Sequence, residues 1–305
     1  MLTRPLSSFL ILGANGQLGR LFSHKLSQTG ASVTGIDLDQ TSSEKGKYSV
    51  YISADLTIPD TRVVAAIQQA ACIIICLSES AALAALAGIM KSISRGALLV
   101  DTLSVKANYL QQVRLAGKEI ECLSINPMFA PSLDFETQNV AVIEVASGPL
   151  AEEFVCLLRS WGAQVTRVTL EEHDATTALI QVATHATLIA FGSVLSKLGY
   201  DIQSALRIST PPHRIVLSLL ARIILANPEV YWEIQHGNPL AGKIREALAQ
   251  SIDELNNVSA AANPEAFSRL LEEVRTTIEP EIARLAENCA VVLQNDRLSM
   301  RTDHD

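Results

Sequence analysis

Aromatic residues are scarce, 5% of the 305 residues, and charged residues make up only 18%, whereas hydrophobic residues reach 48%. That balance excludes a disordered or low-complexity chain and predicts aliphatic packing between helices and a sheet. Basic residues are also few. Lys and Arg number 24 against 32 Asp and Glu, a net charge of −8, with no run of cations to track a phosphate backbone, so no nucleic-acid partner is expected. The five cysteines (Cys72, Cys76, Cys122, Cys156 and Cys289) show no metal-ligand spacing, and no metal site is expected. Cys72 and Cys76, inside AACIIICLS, read as small buried hydrophobes, and an odd, scattered count suits a reducing cytoplasm. Long apolar runs are missing too. The N-terminal MLTRPLSSFLILG is apolar over about five residues before it meets glycines, too short for a signal-peptide core or a membrane span. The most apolar later stretch, 178–200, is interrupted by Gln181, His185 and Lys197, which predicts a buried helix of a soluble protein with no membrane partner.

What is present has a clear order. A chain of this length predicts two domains. Over residues 8–170, short aliphatic runs (SFLILG, ASVTGID, CIIICL, ALLVDTL, IECLSI, VAVIEV, AQVTRV) alternate with helical segments from Gly16, near 60–70, near 80–92 and near 150–161. Strands separated by helices predict a parallel, doubly wound sheet over 1–170. From Glu171 the strand signals stop, and five segments of helical spacing, several opening on Pro or Asn-Pro, predict an all-helical domain over 171–305.

Between the first strand and its helix, FLILGANGQLGRLF places Gly13, Gly16 and Gly19 where a dinucleotide fold brings backbone close to a pyrophosphate and points helix amides at its charge. The loop reads G-x-x-G-x-x-G, a weaker signature than G-x-G-x-x-G, and an ordinary turn competes with it. Gly13, Asn15, Gly16, Gln17, Leu18 and Gly19 are the predicted pyrophosphate loop of a Rossmann-like domain. The next strand ends in Asp37, eighteen residues beyond Gly19, where a carboxylate accepts from the adenosine ribose and repels a 2′-phosphate, so NAD is expected over NADP. Ser104, past the end of ALLVDTL, is expected near the nicotinamide, because ligands of open α/β sheets sit beyond the carboxyl ends of the strands.

Downstream come NPMFAP at 126–131, EEHD at 171–174, LIQVATHA around His185, STPPHR ending in Arg214, and NPEVYWEI from Asn227. In this order and spacing they resemble prephenate dehydrogenase, over about residues 9–240, with no chorismate mutase-like segment expected ahead of the first strand and no regulatory module behind the helices. The resemblance implies an NAD-dependent dehydrogenase that removes a hydride from ring C4 of a cyclohexadienyl dicarboxylate while CO2 leaves C1. It implies that Arg214 holds a carboxylate and that His185, with Gln181 four residues before it on the same face, meets the substrate. His173 and Asp174 read instead as a helix start with Asp174 as cap.

The family motif opens with histidine, HPMFGP-like, and that histidine accepts a hydrogen bond from the C4 hydroxyl. Here Asn126 stands in its place and Ala130 replaces the glycine. An amide oxygen accepts a hydrogen bond but takes no proton near neutral pH. A C4 amine supplies a stronger lone pair than a hydroxyl and needs no such base, with Asn126 and Ser104 orienting the NH2 group. The expected reaction is therefore NAD-dependent conversion of 4-amino-4-deoxyprephenate to 4-aminophenylpyruvate, as in the 4-amino-4-deoxyprephenate dehydrogenase branch of the family. The alternatives are conversion of prephenate to 4-hydroxyphenylpyruvate in tyrosine biosynthesis and an inactive NAD-binding relative, although the latter leaves the retention of Ser104, His185 and Arg214 unexplained. Helices around 178–195 and 211–226, apolar on more than one face, predict a homodimer.

Overall fold

The computed structural model describes residues 6–39 and 47–299, so the start of the N-terminal stretch weighed above as a leader lies outside the described residues. Contacts divide the chain into two units, Met1–Thr176 and Thr177–Asp305.

The first unit is built as β1 (Ser8–Leu12), α1 (Gln17–Ser27), β2 (Ser32–Asp37), β3 (Val50–Ser53), α2 (Thr61–Gln69), β4 (Cys72–Ile75), α3 (Glu79–Ser92), β5 (Leu98–Asp101), α4 (Ala107–Leu115), β6 (Glu121–Pro127), β7 (Asn139–Ala146), α5 (Pro149–Ser160), β8 (Gln164–Arg167) and α6 (Leu170–Thr177). The eight strands form one sheet in the order β3-β2-β1-β4-β5-β6-β7-β8. Every residue of β4 and β5 is buried, which is why these strands read as unbroken apolar runs. Alternate side chains feed two cores. Leu10, Leu12, Ile73, Ile75 and Leu99 pack with the buried faces of α2 and α3, while Phe9, Ile11, Cys72, Ile74 and Val100 pack with those of α1 and α5. Asp60 and Ser78 cap α2 and α3 through their side chains.

The expected all-parallel sheet is corrected at one pair. β6 and β7 are antiparallel, with Asn126 opposite Ala141, and the chain between them carries only a 3₁₀ turn at Pro131–Leu133. A parallel return needs a crossover helix, so a connection of this kind reverses the strand. Two elements of this unit escaped the sequence reading. β3 is a four-residue strand at the sheet edge, and α4 is a nine-residue helix whose core face holds just Tyr109, Leu110 and Val113.

The second unit opens with a π-helical turn at Ala178–Ala183 and continues as α7 (Thr184–Lys197), α8 (Ile202–Leu206), α9 (Pro211–Leu225), α10 (Pro228–Gly237), α11 (Ala241–Ala260), α12 (Pro264–Ile278) and α13 (Ile282–Ser299), with no strand among its described residues. Asn227 and Asn263 cap α10 and α12, each followed by proline at the first helical position. Its core is small: Val182, Ile234 and Ala241, with Ile244 packed against them. The expectation that 178–200 is buried holds at Ala178 and Val182 but fails along α7 within one chain. α7 contains no buried residue, Val194 and Leu198 are 51% and 81% exposed, and on α9 Ile224 and Leu225 are 70% and 87% exposed. The helix Leu170–Lys197 is long and apolar enough to cross a membrane on length and composition, and the bent pair Pro211–Leu225 with Pro228–Gly237 meets the same test when taken as one span.

Candidate active site

The glycine loop has the backbone a dinucleotide cradle needs. Gly13 has φ +83°, and a Cβ there would run into the Cys76 carbonyl, while a Cβ on Gly19 would run into the carbonyl of Gly13. Both positions thus require glycine for conformation or close approach. Gly16 is the N-cap of α1 and leaves it without a side-chain cap, and no acidic residue follows in the first turn. The amides at Gln17 and Leu18 therefore begin a helix whose positive end is unneutralised. Tyr48 braces the loop from beneath by donating its hydroxyl to Ala14 O at 2.6 Å. Burial pushes its pKa up to about 12, so it remains a donor. Asp37, half-buried at the end of β2, accepts from the Asn15 amide at 2.7 Å through one oxygen, and its other oxygen meets the Asp39 amide at 3.5 Å. Asn15 donates its Nδ2 to Tyr51 at 3.0 Å, while its buried Oδ1 has no partner. A helix start open to anions, glycines that allow close approach, and a carboxylate with spare acceptor capacity at the second strand fit a dinucleotide with a free ribose.

At the carboxyl-terminal halves of β5 and β6 lies a buried polar cluster. Lys106, fully buried, donates to Ser124 Oγ at 2.8 Å and to Ile125 O at 2.9 Å, and it pairs with Asp101 Oδ1 at 3.4 Å. Ser124 in turn donates to Asp101 at 2.9 Å. Burial draws the Lys106 ammonium below its ordinary pKa and Asp101 opposes that shift. Ser104, half-buried in the loop after β5, forms no hydrogen bond found among the described residues.

Asn126, 2% exposed at the end of β6, sits next to this cluster, and its Nδ2 lies 3.1 Å from His173 Nε2. On the other side of the ring, His173 Nδ1 lies 3.0 Å from Asp174 Oδ1. The reading of His173 and Asp174 as a helix start is thereby corrected. The cap of α6 is Thr169, whose hydroxyl accepts from the Glu172 amide at 3.1 Å while Glu172 accepts from the Thr169 amide at 2.8 Å. That reciprocal pair is a capping box, so His173 and Asp174 follow the cap, within the helix. His173 is almost fully buried, and burial, reinforced by the Lys106 charge and opposed by Asp174, lowers its pKa. Sequence reading missed Asp101 and Lys106 as buried partners and misassigned His173. The Thr169-x-x-Glu172 spacing is the signal that would have placed the histidine inside the helix.

Of the residues expected to hold substrate, Gln181, His185 and Arg214 all lie in the second unit. Gln181 Oε1 and His185 Nδ1 are buried without a hydrogen-bond partner. Such orphaned atoms are costly unless something else satisfies them. His185 packs edge-on to Tyr231 at 4.8 Å, and burial, with the nearby Arg222 charge, lowers its pKa. Arg214, on the first turn of α9, donates to Ser209 O at 3.0 Å.

The family described as "Prephenate dehydrogenase, dimerization domain" matches residues 169–275. The chain is 36% identical over 284 residues to a 4-amino-4-deoxyprephenate dehydrogenase of Streptomyces pristinaespiralis, covering 92% of this chain and 94% of that protein. Among solved structures it is similar to prephenate dehydrogenase from A. aeolicus in complex with hydroxyphenyl propionate and NAD+ (TM-score 0.68, 17% identity, 91% of this chain and 99% of that one). It is also similar to Synechocystis arogenate dehydrogenase (TM-score 0.65, 17% identity, 90% and 99%). At those identities the structural likeness bears on the fold.

Proposed function

The chain belongs to the prephenate dehydrogenase family of NAD-dependent dehydrogenases, and on that premise we propose that it oxidatively decarboxylates 4-amino-4-deoxyprephenate to 4-aminophenylpyruvate. The observation that carries this reading is Asn126 at the carboxyl end of β6, where the related motif has a histidine base. NAD, when bound, accepts the hydride from C4. The glycine loop and the start of α1 hold its pyrophosphate, and Asp37 takes the adenosine ribose. Asn126 and Ser104 orient the amine on C4, whose lone pair assists departure of the hydride. The C1–carboxylate bond then supplies the electron pair that makes the ring aromatic, and CO2 leaves. No group on the protein need take a proton from nitrogen. Gln181 and His185 offer their orphaned polar atoms to the substrate, and Arg214 offers a planar fork to a carboxylate.

A paired assay with 4-amino-4-deoxyprephenate and prephenate, following formation of the reduced cofactor, tests the assignment. The amine is expected to have the higher kcat/KM, with a rate that rises with pH as the substrate ammonium deprotonates. Equal or reversed preference would refute it.

Asp37→Ala is expected to weaken NAD binding and to narrow the preference over NADP, because it removes the ribose acceptor and the charge that repels a 2′-phosphate together. Titration of the variant with both cofactors checks this, and an unchanged ratio would remove Asp37 from the ribose site.

The exposed apolar faces of α7 and α9 and the family of residues 169–275 support a cytoplasmic homodimer rather than a membrane span. Light scattering at micromolar concentration is expected to give about twice the 32.9 kDa chain mass, and a monomer mass would count against it.

A further inference from the structure

We infer that Asp174 and His173 fix which end of the Asn126 carboxamide faces the reacting carbon, so that Oδ1 is presented as an acceptor to the substituent on C4. The inference rests on the proposed placement of Asn126 at that substituent and assigns His173 and Asp174 as positioning residues.

The two ends of a carboxamide have nearly the same shape, so packing alone does not choose between them; hydrogen-bond partners do. Asp174 presents a carboxylate oxygen to His173 Nδ1 at 3.0 Å. A carboxylate only accepts, so the single proton of a neutral ring resides on Nδ1. Nε2 is then a lone pair, and the group it meets at 3.1 Å is the Asn126 NH2. Turning the amide over would set Oδ1 against that lone pair in a buried setting, where two unpaired acceptors are costly. No hydrogen bond to Asn126 Oδ1 is found among the described residues, which leaves it for the substrate.

Among the charged groups acting on His173 are Asp174 on α6, Lys106 at the start of α4 and Asp101 on β5. Burial and Lys106 disfavour the charged ring, so it is neutral through the neutral range. Protonation in acid would put a hydrogen on Nε2, call for Oδ1 instead, and reverse the end of Asn126 that faces outward. An outward acceptor selects a C4 substituent that carries a hydrogen to donate. An amine or hydroxyl qualifies, whereas a dimethylamino or methoxy group does not.

Two measurements test this. In protein with 15N-labelled histidine, wild-type His173 is expected to carry its proton on Nδ1 with Nε2 bare; a proton on Nε2 at neutral pH would overturn the inference. In the second, kcat and KM are measured with whichever of the two substrates is turned over faster. Asp174→Asn can donate to Nδ1 and force the other tautomer, so it should lower kcat by about 10²-fold, with KM little changed. His173→Gln places an amide oxygen near Nε2 and should retain most activity. Adding His173→Gln to Asp174→Asn should then restore the rate, since no tautomer remains to control. Losses that simply add in the double variant would mean that both residues serve packing alone. The ring tautomer is read without substrate, so a wrong substrate assignment and a wrong positioning role give different results.

Discussion

Asn126→His is expected to raise kcat/KM for prephenate by restoring a base, an effect worth about 10²–10⁴-fold where the geometry is right. The same change should leave turnover of 4-amino-4-deoxyprephenate level or reduce it. A histidine at 126 can donate one ring N–H to the His173 Nε2 that now receives the amide and keep its other nitrogen as a basic acceptor. For a hydroxyl that acceptor draws on the O–H as hydride leaves. For an amine it adds little, and once protonated it repels any ammonium form of the substrate. The measurement is the ratio of the two kcat/KM values in wild type and variant. A packing defect would lower both in parallel, so an unchanged ratio would show that residue 126 does not determine the preference.

Lys106→Met is expected to destabilise the first unit by about 3–5 kcal/mol, the usual consequence of removing one partner of a buried ion pair. Lys106 and Asp101 have fully buried side chains, so the substitution strands a carboxylate whose Oδ2 already lacks a partner. Removing the second charge in the double variant Asp101→Leu/Lys106→Met should recover most of the loss, because no buried charge is then left unpaired and only neutral groups, Ser124 Oγ, Ile125 O and the Leu103 amide, lose partners. Chemical denaturation of the single and double variants decides the matter. A double variant as unstable as the single one would place the contribution of Lys106 in its bonds to Ser124 and Ile125 O rather than in the ion pair.

The first unit was legible in the sequence wherever an element carries its own pattern. β4 and β5 announce themselves as uninterrupted apolar runs, and the glycine loop by its position between strand and helix. β3 escaped because four edge residues with Val50 half-exposed offer no alternation long enough to read. The reversal of β7 escaped because direction depends on the connection, and a short 3₁₀ turn leaves little trace. Within the site, Asn126 stood out as a departure from a motif, but its partner did not. Nothing local in EEHD shows that His173 reaches a strand end 47 residues earlier in the chain. Nor does a lysine following a strand reveal that it turns inward to a carboxylate five residues before it. Such contacts are products of topology, invisible to periodicity.

The π-helical turn at Ala178–Ala183 makes this stretch one residue richer than an α-helix of the same rise. Gln181 lies inside it and His185 just beyond, so their mutual bearing depends on the surplus residue. Deleting any one residue there would let the backbone relax to regular α-helix, keeping continuity and gaining ordinary hydrogen bonds. Because the wide turn absorbs its extra residue within the same rise, the segments on either side would keep nearly their present phase, and only the residues inside the turn would shift in bearing. The local backbone would then be better off, while Gln181, inside the turn, would change its bearing relative to His185, beyond it. The turn therefore sets the local bearing of Gln181, held where the backbone alone would not choose it.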